Sequence, residues 1–172
     1  MGTIAWGILG AARIAERSLI PGIEQSSNCV LSAVASRNAA KRAAFKDKYP
    51  SVAIYESYEE LIGDATVQAV YIPLPNHLHK KWIYEAAKKK KHILCEKPLG
   101  LSAAEVKAMF ACCRKNGVLL QEAFTYRHNP VIYKLKEMID SAYIGEIKLI
   151  ESAFCFTLSN PDDYRWHKKY GG

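Results

Sequence analysis

Ile4-Ala5-Trp6-Gly7-Ile8-Leu9-Gly10-Ala11-Ala12-Arg13-Ile14-Ala15 is the stretch whose reading decides the fold. An apolar run from Ile4 stops at Gly10, and a helical pattern begins at once. A buried strand that turns sharply into a helix is the opening unit of a dinucleotide-binding fold. Such a turn leaves N–H groups at the helix start without carbonyl partners. The positive end of the helix dipole adds to them, and together they make a seat for a pyrophosphate. The glycine pattern is partial, with Ala12 and Ala15 where G-x-G-x-x-G has its second and third glycines. Ala15 still permits close packing of helix on strand, whereas Ala12 puts a methyl where backbone approaches the phosphates. Alone, the pattern suits a structural turn as well as a cofactor site. The strand-turn-helix context favours the cofactor.

Outward from this turn, strands are predicted at residues 3–9, 29–35, 52–55, 67–72, 93–95 and 118–121. Between them lie helical patterns. The first runs from Arg13 to about Gln25, in two pieces because Pro21-Gly22 should kink or end it. The next, at 39–48, is capped by Asn38, and a short one follows Ser57 with Glu60 at capping-box spacing. Residues 78–88 form another, and 103–115 opens on Ser102 and Glu105 and ends at Gly117. Strand and helix alternate with short connections, which argues for an α/β, doubly wound parallel (Rossmann) sheet with helices on both faces over residues 1–123. After Glu122 the grammar changes. Residues 130–140 read as an amphipathic helix carrying Ile132, Leu135 and Ile139 on one face. Residues 147–156 alternate in part, as a strand open on one side does. Residues 124–172 therefore read as the beginning of a second, incomplete domain.

The composition bounds the function. The chain has 172 residues, 49% apolar and 24% charged, and no run long and apolar enough to cross a membrane. Its start lacks the layout of a secretory signal, and Trp6 stands where a myristoylation motif has Ser or Thr. The net charge of +7 suits a phosphorylated ligand. A solvated basic surface explains it better than nucleic-acid binding, because no base-reading motif accompanies it. The run from Lys88 to Lys91 reads as solvated charge at a helix C-terminus. Of the five cysteines, Cys29, Cys95 and Cys155 sit in apolar stretches and read as core, while Cys112 and Cys113 are adjacent on a helix and face apart. The odd number and the lack of C-x-x-C spacing point to a reducing, cytoplasmic setting.

Three strand ends carry chemistry. After the second strand, an acidic residue would bind the adenosine ribose of NAD. Here the order is Ser36-Arg37-Asn38, with Lys41 close by. Arg37 offers a planar fork for a 2′-phosphate and Ser36 a hydroxyl, so NADP is the expected cofactor and NAD the second choice. After the fourth strand comes Pro73-Leu74-Pro75-Asn76-His77-Leu78-His79, at the sheet edge where ligands bind. Asn76 reads as a helix cap. His77 and His79 lack a carboxylate or cysteine partner, so no metal is assigned. After the fifth strand, Glu96-Lys97-Pro98 sets a lysine between a buried run and a proline. A cationic nicotinamide ring nearby disfavours an ammonium, and a lysine there could hydrogen-bond a substrate hydroxyl and ease its loss of a proton.

In this order, GILGAARIA, ASRN, PLPNHLH, CEKPLG and EAFTYRHNP resemble the glucose-fructose oxidoreductase/inositol dehydrogenase family, most like its NADP-linked sugar and dihydrodiol dehydrogenases. The resemblance implies that Gly10, Ala11, Ala12, Arg13 and Ile14 hold the pyrophosphate, and that Ser36, Arg37, Asn38 and Lys41 hold the adenosine phosphate. Pro73, Leu74, Asn76 and His79 would line the path to the nicotinamide. Glu96 and Lys97 would flank the nicotinamide ribose, with Lys97 catalytic and also touching substrate and the Lys97–Pro98 bond cis. Ala123, Tyr126 and Arg127 would border nicotinamide and substrate, and Arg165 and Trp166 would reach the same end. The implied enzyme is an NADP(H)-dependent oxidoreductase moving hydride between nicotinamide and a sugar or polyol, a homo-oligomer at full length. Its acid/base residue is expected beyond Gly172, so this chain is expected to bind cofactor with little turnover. The alternative is a non-catalytic dinucleotide sensor of the same fold.

Overall fold

The computed structural model describes residues 2–171, so Met1 and Gly172, the outer limits of the two predicted domains, lie outside the described residues. Six strands form one sheet: β1 (Ile4–Leu9), β2 (Cys29–Ala35), β3 (Ala53–Tyr55), β4 (Ala69–Ile72), β5 (His92–Cys95) and β6 (Leu120–Glu122). Every pair is parallel, and the order is β3-β2-β1-β4-β5-β6. This is the doubly wound order, in which the chain reverses direction across the sheet between β1 and β4. Ligands of such sheets bind outside the carboxyl ends of the two central strands.

Both faces of the sheet are covered. On one, α3 (Tyr58–Gly63), α4 (Asn76–Lys88) and α5 (Ala103–Asn116) bury Leu61, Ile83 and Met109 against Leu9, Val70 and Ile72. On the other, Ala15, Ile20 and Phe45, the last from α2 (Ala39–Lys48), pack on Ile8, Val34 and Tyr71. Each fully buried Ile or Leu contributes about 1.5–3 kcal/mol relative to exposure, so the sheet is held by its two faces rather than by any single contact. The local signals act as predicted. Asn38, Ser57 and Ser102 accept the cap bonds of α2, α3 and α5, and the Ser57/Glu60 capping box is complete. Gly117 ends α5 at φ 71°, a left-handed conformation that costs a Cβ-bearing residue energy.

Four sequence expectations are corrected. The first helix does form in two pieces, but the change falls just before Pro21 and not at Pro21-Gly22. It opens as a π-helical turn at Ala15–Leu19 and runs on as α1 (Ile20–Gln25), with Pro21 in its first turn. Proline has no N–H to give and its ring crowds the carbonyl a turn back, so the turn before it widens. Lys91 is not solvated: it is 6% exposed, and its Nζ donates to the carbonyls of Asp64 and Val67, both at 2.6 Å. Cys155 is exposed, while Cys113 joins Cys95 in the core. Burial pushes the Cys113 thiol up to about 11, and that of Cys95 well above its ordinary value.

The last correction concerns residues 147–156, which form no strand. A strand needs a neighbouring strand for its N–H and C=O groups, and no described strand pairs with this segment. The helix α6 (Pro130–Asp140) does form, capped by Asn129. Its Val131 and Tyr133, with Leu149, Ile150 and Phe154 beyond it, remain exposed.

Candidate functional site

Two cavities open where the carboxyl ends of β1 and β4 diverge. The smaller, of about 250 Å³, is lined by Gly10, Ala11 and Ala12 from the first turn and by Ser36, Arg37, Asn38 and Lys41 from the end of β2. The larger, of about 1120 Å³, is lined by Ile14, Asn76, Glu96, Lys97, Ala123, Tyr126 and Arg165. Pro73 and Leu74 line both, so the two cavities are neighbouring stretches of one groove that runs across the sheet's switch point.

At the first turn Gly10 has φ +111°, a backbone no side-chain-bearing residue adopts without strain, and a Cβ there would meet Leu74 Cδ2 at 3.0 Å. The Ala12 N–H is already taken by the Gly10 carbonyl at 2.8 Å, so the N–H groups that follow it at the helix start are the ones without a carbonyl a turn back. At the end of β2, the Arg37 guanidinium lies 5.3 Å from the ring centroid of Tyr58, which packs edge-on against Trp82. This stacking orients a side chain that would otherwise be loose. Arg42 braces the same corner, donating to the Ser36 carbonyl at 2.9 Å and to Glu56 at 2.7 Å. Asn38 spends its side-chain oxygen on the α2 cap, accepting from the Lys41 N–H at 3.0 Å.

After β4 the histidines separate. His79 is fully buried, with Nε2 at 2.7 Å from the Leu74 carbonyl and Nδ1 at 2.9 Å from the Pro98 carbonyl. It lies behind the groove and ties the Leu74 loop to the Pro98 loop, instead of lining the path itself. His77 stacks on Tyr170 at 5.1 Å. Asn76 does not cap α4. The helix starts at Asn76 itself, and its side-chain amide donates to the Gly171 carbonyl at 2.8 Å.

After β5, Glu96 is half-buried and Lys97 exposed, and the Lys97–Pro98 bond is cis. Tyr126 sits between the rings of Phe124 and Phe154, at 5.7 and 6.4 Å. Arg165 is paired through Nε and Nη2 with Asp163, at 2.8 and 2.9 Å, and its guanidinium lies 5.6 Å from the Phe156 ring. These hydrogen bonds from Arg165 hold the Asp163 carboxyl at about 2. Arg13, Arg127 and Trp166 are exposed and border neither cavity; the indole of Trp166 donates to the Asn160 carbonyl. Among the groove-lining residues that sequence reasoning did not single out are Tyr58, Phe154, Phe156 and Tyr164. Only Tyr58 carried a local signal, one residue after the capping Ser57 and so at the sheet's carboxyl edge.

A parallel sheet in this order, with a glycine turn after β1 and an arginine after β2, defines a dinucleotide-binding domain. Residues 4–124 match the family described as "Oxidoreductase family, NAD-binding Rossmann fold", and the chain belongs to it, the glucose-fructose oxidoreductase/inositol dehydrogenase family. It is 43% identical to D-xylose 1-dehydrogenase (NADP(+)) 2 of Haloferax volcanii, over 93% of this chain and 49% of that protein. It is 34% identical to trans-1,2-dihydrobenzene-1,2-diol dehydrogenase of Mus musculus, over 98% of this chain and 51% of that one. A 3-ketoreductase of Actinomadura kijaniata, solved in complex with NADP and TDP-benzene, superposes with a TM-score of 0.80 at 35% identity, covering 86% of this chain and 45% of that one. The chain thus spans about half the length of the curated relatives it matches.

Proposed function

We propose that this chain provides the coenzyme-binding part of an NADP(H)-dependent oxidoreductase acting on a sugar or related polyol. The observation that carries this reading is the single groove, shared at Pro73 and Leu74, with Arg37 at one end and Lys97 at the other. The residues present fit the coenzyme. Gly10 leaves the first turn bare where a Cβ would press on Leu74, and no carboxylate stands at the end of β2 where the ribose of NAD would need one. An NADP-linked relative at 43% identity and a ketoreductase solved with NADP support the same choice.

When bound, the coenzyme supplies or accepts hydride at nicotinamide C4. This chain's residues do the rest. The Arg37 fork, with Lys41 adding charge, holds the 2′-phosphate. The backbone N–H groups of Ala11, Arg13 and Ile14 face the pyrophosphate at a helix start. The Glu96 carboxylate accepts a bond from the nicotinamide-side ribose. The Lys97 ammonium donates to the oxygen of the reacting carbon and stabilises charge that develops there. Tyr126 and its aromatic neighbours form the wall on the substrate side.

Titration of the chain with NADPH and with NADH, followed by the fluorescence of the reduced ring, tests the proposal. Saturable binding with NADPH at least tenfold tighter is expected, because a hydrogen-bonded charge pair is worth roughly 1.5–3 kcal/mol. Absence of binding, or tighter NADH, contradicts it.

A further inference from the structure

The Glu96 carboxylate is held from outside its own loop. Tyr71 stands on β4, in the middle of the sheet, and is 2% exposed. Its hydroxyl donates to Glu96 Oε1 at 2.6 Å, across 25 residues of sequence. The other oxygen, Oε2, takes the backbone N–H of Lys97 at 3.3 Å. The first bond has the length of a charge-assisted hydroxyl–carboxylate contact, among the stronger hydrogen bonds in proteins. Burial, and then the bond to Glu96, push the Tyr71 phenol far above its ordinary value, so the hydroxyl remains a donor throughout the neutral range.

The arrangement has two consequences. Glutamate loses substantial rotamer entropy when it is fixed, and here the loss is met before any ligand arrives. A loose carboxylate beside an ammonium would also swing onto it. The bonds of Glu96 go instead to the sheet and to the backbone of Lys97, so neither occupies the Lys97 ammonium. A carboxylate has about four lone-pair sites, and these two bonds leave acceptor capacity at a side chain that lines the larger cavity.

We propose that Tyr71 is a positioning residue: it aims the Glu96 carboxylate at a ribose hydroxyl of the coenzyme and keeps it off the catalytic ammonium. This rests on the coenzyme reading given above. Tyr71→Phe deletes the hydroxyl and keeps the ring in the core. Its binding is compared for two ligands, NADPH and 2′,5′-ADP, which carries only the adenosine-phosphate end. The proposal expects NADPH affinity to fall about tenfold, the scale of one hydrogen bond to a charged group, while 2′,5′-ADP affinity stays within twofold. In a Glu96→Gln background, Tyr71→Phe should add less than a twofold further loss. Unchanged NADPH affinity, an equal loss for 2′,5′-ADP, or a full loss in the Glu96→Gln background would each overturn the role. A wild-type chain that binds neither ligand overturns the coenzyme reading, and the role of Tyr71 falls with it.

Discussion

In the proposed reading, Arg37 selects the cofactor by position and by support. It follows a strand end where an acid would select NAD, and the Tyr58 ring 5.3 Å away holds its guanidinium over the smaller cavity. Arg37→Asp should weaken NADPH roughly 10- to 100-fold and improve NADH, since it removes a fork for phosphate and adds an acceptor for ribose hydroxyls. An unchanged ratio of the two dissociation constants would remove Arg37 from that role. Asp64 makes a prediction about pH. Hydrogen bonds from Thr66, whose Oγ1 and N–H lie at 2.7 and 2.8 Å, hold its carboxyl below the ordinary value. The folded state therefore binds the proton less readily than the unfolded one. The stabilisation is fully present above the ordinary carboxylate value of about 4 and is lost as pH falls through the lower, folded value. Asp64→Asn should lower the melting temperature by about 2–4 °C at neutral pH, and the gap should close in acid. A gap that stays constant on acidification counts against this account. Residues such as Arg37 and Lys97 were legible because a strand end marks their place along the chain. Tyr71 was not, because its partner Glu96 becomes a neighbour only when β4 and β5 pair.

Elements show the same division. Caps are local chemistry, and Ser57, Ser102, Asn38 and Gly117 could be read directly from sequence. Roles that depend on a second element could not. Lys91 ends a run of four lysines, yet its ammonium serves two carbonyls of the loop before β4. His79, on α4, sits inside the helix–sheet layer and serves the carbonyls of Leu74 and Pro98. It is the tie that keeps the two groove-forming loops in register. His79→Leu should destabilise the chain by about 1–3 kcal/mol, because removing the imidazole donor leaves a buried carbonyl unpaired. Urea unfolding checks this: a midpoint shifted with an unchanged slope is expected, and a midpoint within error of wild type would show that the tie does no structural service.

At the scale of the whole molecule, periodicity and alternation were enough to read the sheet, because each βαβ unit is local and its handedness is restricted. The strand expected at residues 147–156 failed for the complementary reason: alternation describes a face, and a strand exists only beside another. The apolar side chains left exposed from Val131 to Phe156 are a surface of the kind that further chain or a partner covers. The central claim is that Arg37 and Lys97 hold opposite ends of one coenzyme. A crystal structure of the chain with NADPH measures this most directly. It should place the 2′-phosphate within hydrogen-bonding distance of the Arg37 guanidinium and the nicotinamide ring beside Lys97. A coenzyme found with its 2′-phosphate away from Arg37, or its nicotinamide outside the larger cavity, would contradict the account.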